Sequence, residues 1–210
     1  MRSADLHPLH GLDIMLVDLL VRGVIPDDAR VFDAGCGTGR NLRWFLQAGH
    51  AVAGCDSAED AVLEARALVR NLRPDLDAAD CITHGPLDAD IATDSADLVI
   101  ANAVLHFAPD AATARQWLDA LWARVAPGGL LFIRLASRIA WRHHPACAAD
   151  GSVTDPECDF GWLPDLHQLE QLTLSLDATL AEPIKSVDVH GARCMTTWIL
   201  RRSDDWDDEI

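Results

Sequence analysis

The segment Val31-Phe32-Asp33-Ala34-Gly35-Cys36-Gly37-Thr38-Gly39-Arg40-Asn41 places glycines at alternate positions between a β-prone run and a helical one. Glycine supplies φ > 0 and lets main chain approach a ligand with no Cβ in the way. The bend therefore predicts a small ligand lying against bare backbone. A dinucleotide fingerprint, GxGxxG, would require glycine at position 40, where Arg40 stands, and the spacing here is GxGxG. Asp33 precedes the loop and no P-loop lysine follows it, so the loop suits a cationic ligand better than a pyrophosphate. Asp56 ends the next β-prone run, 21 residues after Gly35. A carboxylate there can accept two hydrogen bonds from a ribose diol, each charge-assisted and worth roughly 1.5–3 kcal/mol. Asp33 and Asp56 together predict a nucleoside carrying positive charge.

A second group of chemically capable residues lies between 136 and 164. His143 and His144, with Cys147 and Cys158, invite a metal reading, but there is no CxxC pair and adjacent histidines point apart in extended chain, so no metal is expected. Trp141 and Trp162 either cover an apolar ligand or pin this segment to the domain. His7 and His10 either close the site from the N-terminal side or lie on the surface. Trp117 and Trp122 belong by spacing to a helix stripe, and Cys36 should contribute backbone rather than thiol.

The elements that must position these residues alternate. A leucine stripe predicts an N-terminal helix over residues 6–23, ended by Gly23 and Pro26. Strands follow at 30–34, 51–55, 81–84, 98–101 and 130–135, with helices at 41–48, 58–72 and 111–125; Pro127, Gly128 and Gly129 stop the last helix before its strand. Strands joined by crossover helices imply a mostly parallel sheet covered on both faces. Residues 136–164 show no sustained period and are long for a loop, which predicts a lid or binding element. A helix near 165–176 and two β-prone runs, 184–189 and 194–200, read as a hairpin and an antiparallel end to the sheet.

Composition narrows the function. The chain has 210 residues, half of them hydrophobic, with 17 Lys+Arg against 33 Asp+Glu for a formal charge of −16. That is one domain's length, able to bury about 70% of its unfolded surface. The negative charge argues against a nucleic-acid substrate. Residues 1–11 lack a basic segment leading into a long apolar run, so neither a signal peptide nor a membrane span is expected. Six scattered cysteines read as reduced thiols in a cytoplasm. Nothing in the sequence is a signature of oligomeric state.

In combination, Phe32-Asp-Ala-Gly-Cys-Gly-Thr-Gly39 with Cys55-Asp56, Asp97-Leu-Val-Ile-Ala-Asn-Ala-Val-Leu-His106 and Val125-Ala-Pro-Gly-Gly-Leu-Leu131 resemble the class I S-adenosylmethionine-dependent methyltransferases over about residues 10–135. Gly39-Arg-Asn41, Ala48-Gly-His-Ala-Val52 and Met195-Thr-Thr-Trp-Ile-Leu-Arg201 are similar to small methyltransferases of the tellurite-resistance and related small-molecule type. The resemblance implies a Rossmann-like α/β fold with a mostly parallel seven-stranded sheet, helices on both faces and an antiparallel C-terminal hairpin. It implies one domain, with a cofactor-binding core at 30–135, a substrate lid at 136–164 and a C-terminal helix and hairpin at 165–201.

S-adenosylmethionine is the cofactor so implied, and a small molecule the acceptor. Asp33, Gly35 and Gly37, with the Cys36 backbone, would line its methionine part. Asp56 and Ser57 would hold the ribose, Ala101 and Asn102 would meet the methionyl end, and Leu87 with nearby backbone would pack on the adenine. Asp88, the acidic residue near the third strand, falls a few positions late for that role. His106, after the fourth strand, is the candidate general base, with a pocket wall or helix cap as its other reading. Methyl transfer from a sulfonium needs chiefly alignment, which can supply about 7–11 kcal/mol of barrier reduction. A chain keeping the cofactor site without a productive acceptor pocket would be a binding protein instead. A nicotinamide oxidoreductase is disfavoured by Arg40.

Overall fold

In the computed structural model the described residues are 9–87 and 95–204. β1 (Val31–Ala34) is buried at all four positions, as a strand covered on both faces must be. It pairs in parallel with β2 (Val52–Asp56) on one edge and with β4 (Ala96–Asn102) on the other. β2 carries β3 (Ile82–His84) and β4 carries β5 (Val125–Ala136), again in parallel. β8 (Cys194–Arg201) then runs antiparallel along β5, so the mixed α/β sheet is the Rossmann-like one expected, with the antiparallel hairpin at its end.

The strand count is eight rather than seven. β6 (Thr179–Leu180) and β7 (Lys185–Asp188) both pair with the edge of β8 facing away from β5, opposite Leu200–Arg201 and Cys194–Thr197 respectively. Pro183, with no N–H to give to a ladder, stands between them. Two short strands in line thus occupy the edge that one would fill.

Each face of the sheet is closed by helices whose apolar stripe matches it. α1 (Ile14–Val21), α2 (Leu42–Ala48) and α3 (Glu59–Leu72) bury Leu16, Phe45, Leu46 and Val69 against Val31, Ile100 and Phe132. A short α4 (Ala78–Cys81), absent from the sequence pattern, leads into β3. α5 (Ala111–Ala123) and α6 (Leu166–Ser175) bury Leu118, Leu121 and Leu169 against Val99, Leu131 and Trp198. Each such side chain contributes about 1.5–3 kcal/mol by leaving water. α6 starts on a capping box between Asp165 and Gln168.

Two boundaries differ from expectation. The N-terminal helix begins at Ile14, because Asp13 caps it and Gly11 takes φ +89; Leu9 and Leu12 still pack on the core, but from a turn. Leucine spacing registered burial there, not helix. β5 takes in Pro127, Gly128 and Gly129 through a register shift between Ala96 and Leu98 of β4.

Residues 136–164 form a tightly hydrogen-bonded cap. Bridges join Cys147 to Val153 and Ser152 to Trp162. Trp162 is 3% exposed and donates its indole N–H to the Asp150 carbonyl at 3.2 Å, while Trp141 donates to the Gly191 carbonyl at 2.9 Å. Of the two readings of these tryptophans, pinning is the one this geometry displays. The Gly161 N–H donates to the His106 carbonyl at 2.9 Å, and a Cβ on Gly161 would fall 2.1 Å from the Ala108 carbonyl oxygen. The cap is therefore seated on the chain just after β4. Among the described residues no helix is long and apolar enough to cross a membrane.

Candidate functional site

From β1 the chain runs outward one way through β2 and β3, and returns to the other edge as β4 and β5. A crevice opens beyond the carboxyl ends of strands at such a reversal. The glycine turn, the end of β2 and the loop after β4 meet there around a cavity of about 370 Å³, within the range of small-molecule sites. Gly35, Cys55, Asp56, Ser57, Leu87 and Ala103 line it, joined by Val104, Phe107 and Trp117.

Two glycines of the turn have different reasons. A Cβ on Gly35 would lie 2.5 Å from Val104 Cγ2, so close packing demands glycine. At Gly37, φ +54, nothing lies within 4 Å of where the Cβ would be. Among the described residues no neighbour accounts for the bareness of that position beyond its backbone angle.

Asp56 folds back on this turn. Its carboxylate accepts from the Gly37 N–H at 2.8 Å and from the Ala58 N–H at 2.9 Å, one bond to each oxygen. A carboxylate has about four acceptor directions, so one per oxygen stays available. Asp33 is 1% exposed, and neither of its oxygens has a hydrogen-bond partner of full geometry. Burial pushes its carboxyl up to about 7, only partly offset by the Asn41 amide and the Arg40 charge. Among the described residues this buried carboxyl has only that weak support, which is costly to a fold and points to something that completes it.

A polar network not visible in the sequence closes the crevice beside Asn102. Asp13, 4% exposed, accepts from the Met15 N–H as helix cap, from Asn102 Nδ2 at 3.0 Å and from Arg134 Nη1. Its own N–H donates to Asn41 Oδ1 at 3.3 Å. Asn102 and Arg134 face each other across β4 and β5, and α1 is thereby fastened over the ends of three elements. The helix expected over residues 6–23 had placed Asp13 in its interior, so the sequence reading missed this role.

Ala101 is fully buried in the core on the α5 side, and the alanine whose side chain lines the cavity is Ala103, held at φ +63. A non-glycine residue in that region marks a strained turn. Leu87 and Ser57 both line the cavity, and the Ser57 carbonyl accepts from His84 Nε2 at 3.1 Å. Trp117, expected as helix face, packs half-buried on the core and also forms cavity wall. Burial, with the Asp33 and Asp56 charges, drives the Cys36 thiol well above its ordinary range.

His106 is 3% exposed, and its Nδ1 accepts from the Ala136 N–H at 3.0 Å. Since that donor is main chain, the ring proton resides on Nε2. Burial, with the Arg193 charge, lowers its pKa to about 4. The ring is thus neutral with its lone pair occupied, able to donate from Nε2 and unsuited to take a proton. That geometry favours the pocket-wall reading over the general base.

His10 is exposed, and His7 and Asp88 lie outside the described residues. His143 and His144 are exposed, and among the described residues no group of three or more His, Cys, Asp or Glu converges as a metal site.

Against known proteins, residues 32–131 match the family described as Methyltransferase domain. The chain is 34% identical over 120 residues to trans-aconitate 2-methyltransferase of Variovorax paradoxus (strain S110), a match covering 56% of this chain and 42% of that protein. The chain thus spans less than half the length of that relative. Among solved structures it is similar to the Burkholderia thailandensis 1,6-didemethyltoxoflavin-N1-methyltransferase with bound 1,6-didemethyltoxoflavin and S-adenosylhomocysteine, at TM-score 0.68 and 18% identity, over 93% of this chain and 79% of that one. It is also similar to TehB from Haemophilus influenzae, at TM-score 0.63 and 17% identity, over 89% and 62% of the respective chains.

Proposed function

We propose that this chain, whose residues 32–131 match the family described as Methyltransferase domain and whose sheet is Rossmann-like, is a class I S-adenosylmethionine-dependent methyltransferase that moves a methyl group from S-adenosylmethionine to a small organic acceptor. The observation that carries the reading is the space left open at Gly37 by the described residues, beside the Asp56 carboxylate and the buried Asp33 carboxyl. These residues fit the cofactor's chemistry. Asp56 would accept the ribose hydroxyls through its two remaining lone-pair directions, with Ser57 beside it. Gly35 and Gly37, with the Cys36 main chain, would offer backbone without side chain. Asp33 would supply the negative charge that a cationic nucleoside needs, and Asn102 would meet the methionyl end. Leu87, Phe107 and Trp117 form the apolar wall against which the adenine ring would lie.

When bound, the cofactor supplies a methyl group on a sulfonium, a leaving group already activated by its charge. The chain's part is then to hold the donor still, exclude water with the 136–164 cap, and present the acceptor in line. His106 would orient an acceptor through Nε2–H rather than remove its proton. An acceptor already anionic needs no base. The relative named for trans-aconitate and the neighbour solved with 1,6-didemethyltoxoflavin support a small-molecule acceptor. Six free cysteines support a reducing compartment, and we place the protein in the cytoplasm.

Calorimetry with S-adenosylmethionine, S-adenosylhomocysteine and NAD tests the reading. Saturable binding of the first two and none of NAD is expected; tight NAD binding with neither adenosyl ligand would refute it. The other reading, a cofactor-binding protein without turnover, draws on the occupied lone pair of His106. Formation of S-adenosylhomocysteine with any acceptor in a metabolite panel excludes it.

A further inference from the structure

Asp13 divides its carboxylate oxygens between two tasks. Oδ1 accepts from the Met15 N–H at 2.9 Å and caps α1. Oδ2 accepts from Asn102 Nδ2 at 3.0 Å and from Arg134 Nη1. A helix cap needs only the first oxygen. The second task buries a carboxylate against a guanidinium whose Nε, also buried, has no hydrogen-bond partner among the described residues. Buried ion pairs of this kind are a poor source of stability, so another reason for the contact is called for.

The consequence falls on Asn102. One end of an amide donates and the other accepts, and its partners decide which way it is turned. A carboxylate paired with a guanidinium only accepts, so Asp13 holds the Nδ2 end toward itself and leaves the Oδ1 end turned away. Among the described residues nothing donates to that Oδ1. Asn102 is half-buried at the end of β4, directly before Ala103 of the cavity wall, and the Ala103 N–H is tied to the Arg134 carbonyl at 2.7 Å. Asp33 is in register with Ile100, and Asn102 with Arg134; because side chains alternate along a strand, Asp33, Asn102 and Arg134 project to one face of the sheet. Across β1, β4 and β5 that face presents a buried carboxyl, an amide and the Asp13–Arg134 pair. A carboxyl beside an amide oxygen suits a primary ammonium group, whose N–H donors need several acceptors.

Resting on the methyltransferase reading, we propose that Asp13 is a positioning residue for the cofactor: through Oδ2 it fixes the Asn102 amide so that Asn102 Oδ1, together with Asp33, accepts from the α-ammonium of the cofactor's amino-acid end. Two adenosine thioethers separate this from a merely structural role. S-adenosylhomocysteine carries the amino-acid end, and 5′-methylthioadenosine replaces it with a methyl group. Asp13→Ser keeps a hydroxyl that can cap α1 but has no second oxygen, whereas Asp13→Ala has neither. In calorimetry both variants should bind S-adenosylhomocysteine about tenfold more weakly than wild type, and 5′-methylthioadenosine within about twofold of it. In urea unfolding Asp13→Ser should nevertheless be the more stable of the two. In an Asn102→Ala background, Asp13→Ser should cause no further loss of affinity, because Asp13 acts through that amide. Equal weakening of both thioethers, unchanged or tighter binding of S-adenosylhomocysteine, affinity restored along with stability in Asp13→Ser, or a further loss in the Asn102→Ala background would each overturn the proposal. A wild-type protein that binds neither thioether would instead strike the methyltransferase reading, so the two failures are distinct.

Discussion

Asp56 does two jobs that one substitution can distinguish. Its oxygens hold the Gly37 and Ala58 amides in the folded chain, and the same oxygens are proposed to hold a ribose. Asp56→Ala should weaken S-adenosylmethionine binding about 10- to 100-fold, from a loss of about 1.4–3 kcal/mol. An unchanged dissociation constant in calorimetry would remove Asp56 from the ribose site. At Asp33 the carboxyl is raised to about 7 by burial, so the folded chain holds its proton where the unfolded chain has lost it. Stability of the unliganded protein should fall as pH rises from about 4 to about 7 and then level. Cofactor affinity should move the other way, since a cationic ligand favours the ionised carboxylate. It should rise up to about tenfold between pH 6 and pH 8, and Asp33→Asn should flatten the curve. Titrations at four pH values in each protein decide it; parallel slopes in wild type and variant would count against Asp33.

At the scale of elements, α1 depends on a single carboxylate. Asp13 caps the helix and accepts from both Asn102 and Arg134, residues 89 and 121 positions away. Asp13→Ala removes the cap, about 1 kcal/mol, and leaves a partly buried guanidinium without its partner. A total loss of about 2–4 kcal/mol in urea unfolding is expected, with a smaller loss for Asp13→Asn, which can still cap. Equal stability of Asp13→Ala and wild type would show that α1 is not fastened by this contact. The leucine spacing gave a helix over residues 6–23, with Asp13 inside it and not at its cap. Nor was the network legible in sequence, because its members come from α1, α2, β4 and β5 and meet only when the sheet has formed.

For the whole molecule, ligand binding and stability are linked. Gly37→Val puts a branched side chain at φ +54, where strain of about 1–2 kcal/mol is expected, and fills space that none of the other described residues occupies. The variant should fold with a slightly lower melting temperature that no longer rises with S-adenosylmethionine, whereas wild type should gain about 2.7 kcal/mol at a ligand concentration of 100 times Kd. A normal ligand-induced shift in the variant would move the binding surface off the glycine turn.

The alternation of strands and helices, the glycine turn and its downstream aspartate could be read directly from the chain, since strand, turn and helix signals act over a few residues. So could the antiparallel hairpin at its end. The shape of the site could not. That Ala101 points into the core while Ala103 faces the cavity depends on one left-handed residue after β4. That His106 is a neutral hydrogen-bond donor depends on the Ala136 amide, 30 residues further along, reaching its Nδ1. The splitting of the edge strand likewise follows from contacts between distant segments. Local residue types fix local backbone, but the charge state of a side chain and the company it keeps are set by burial, and burial exists only once the chain has packed.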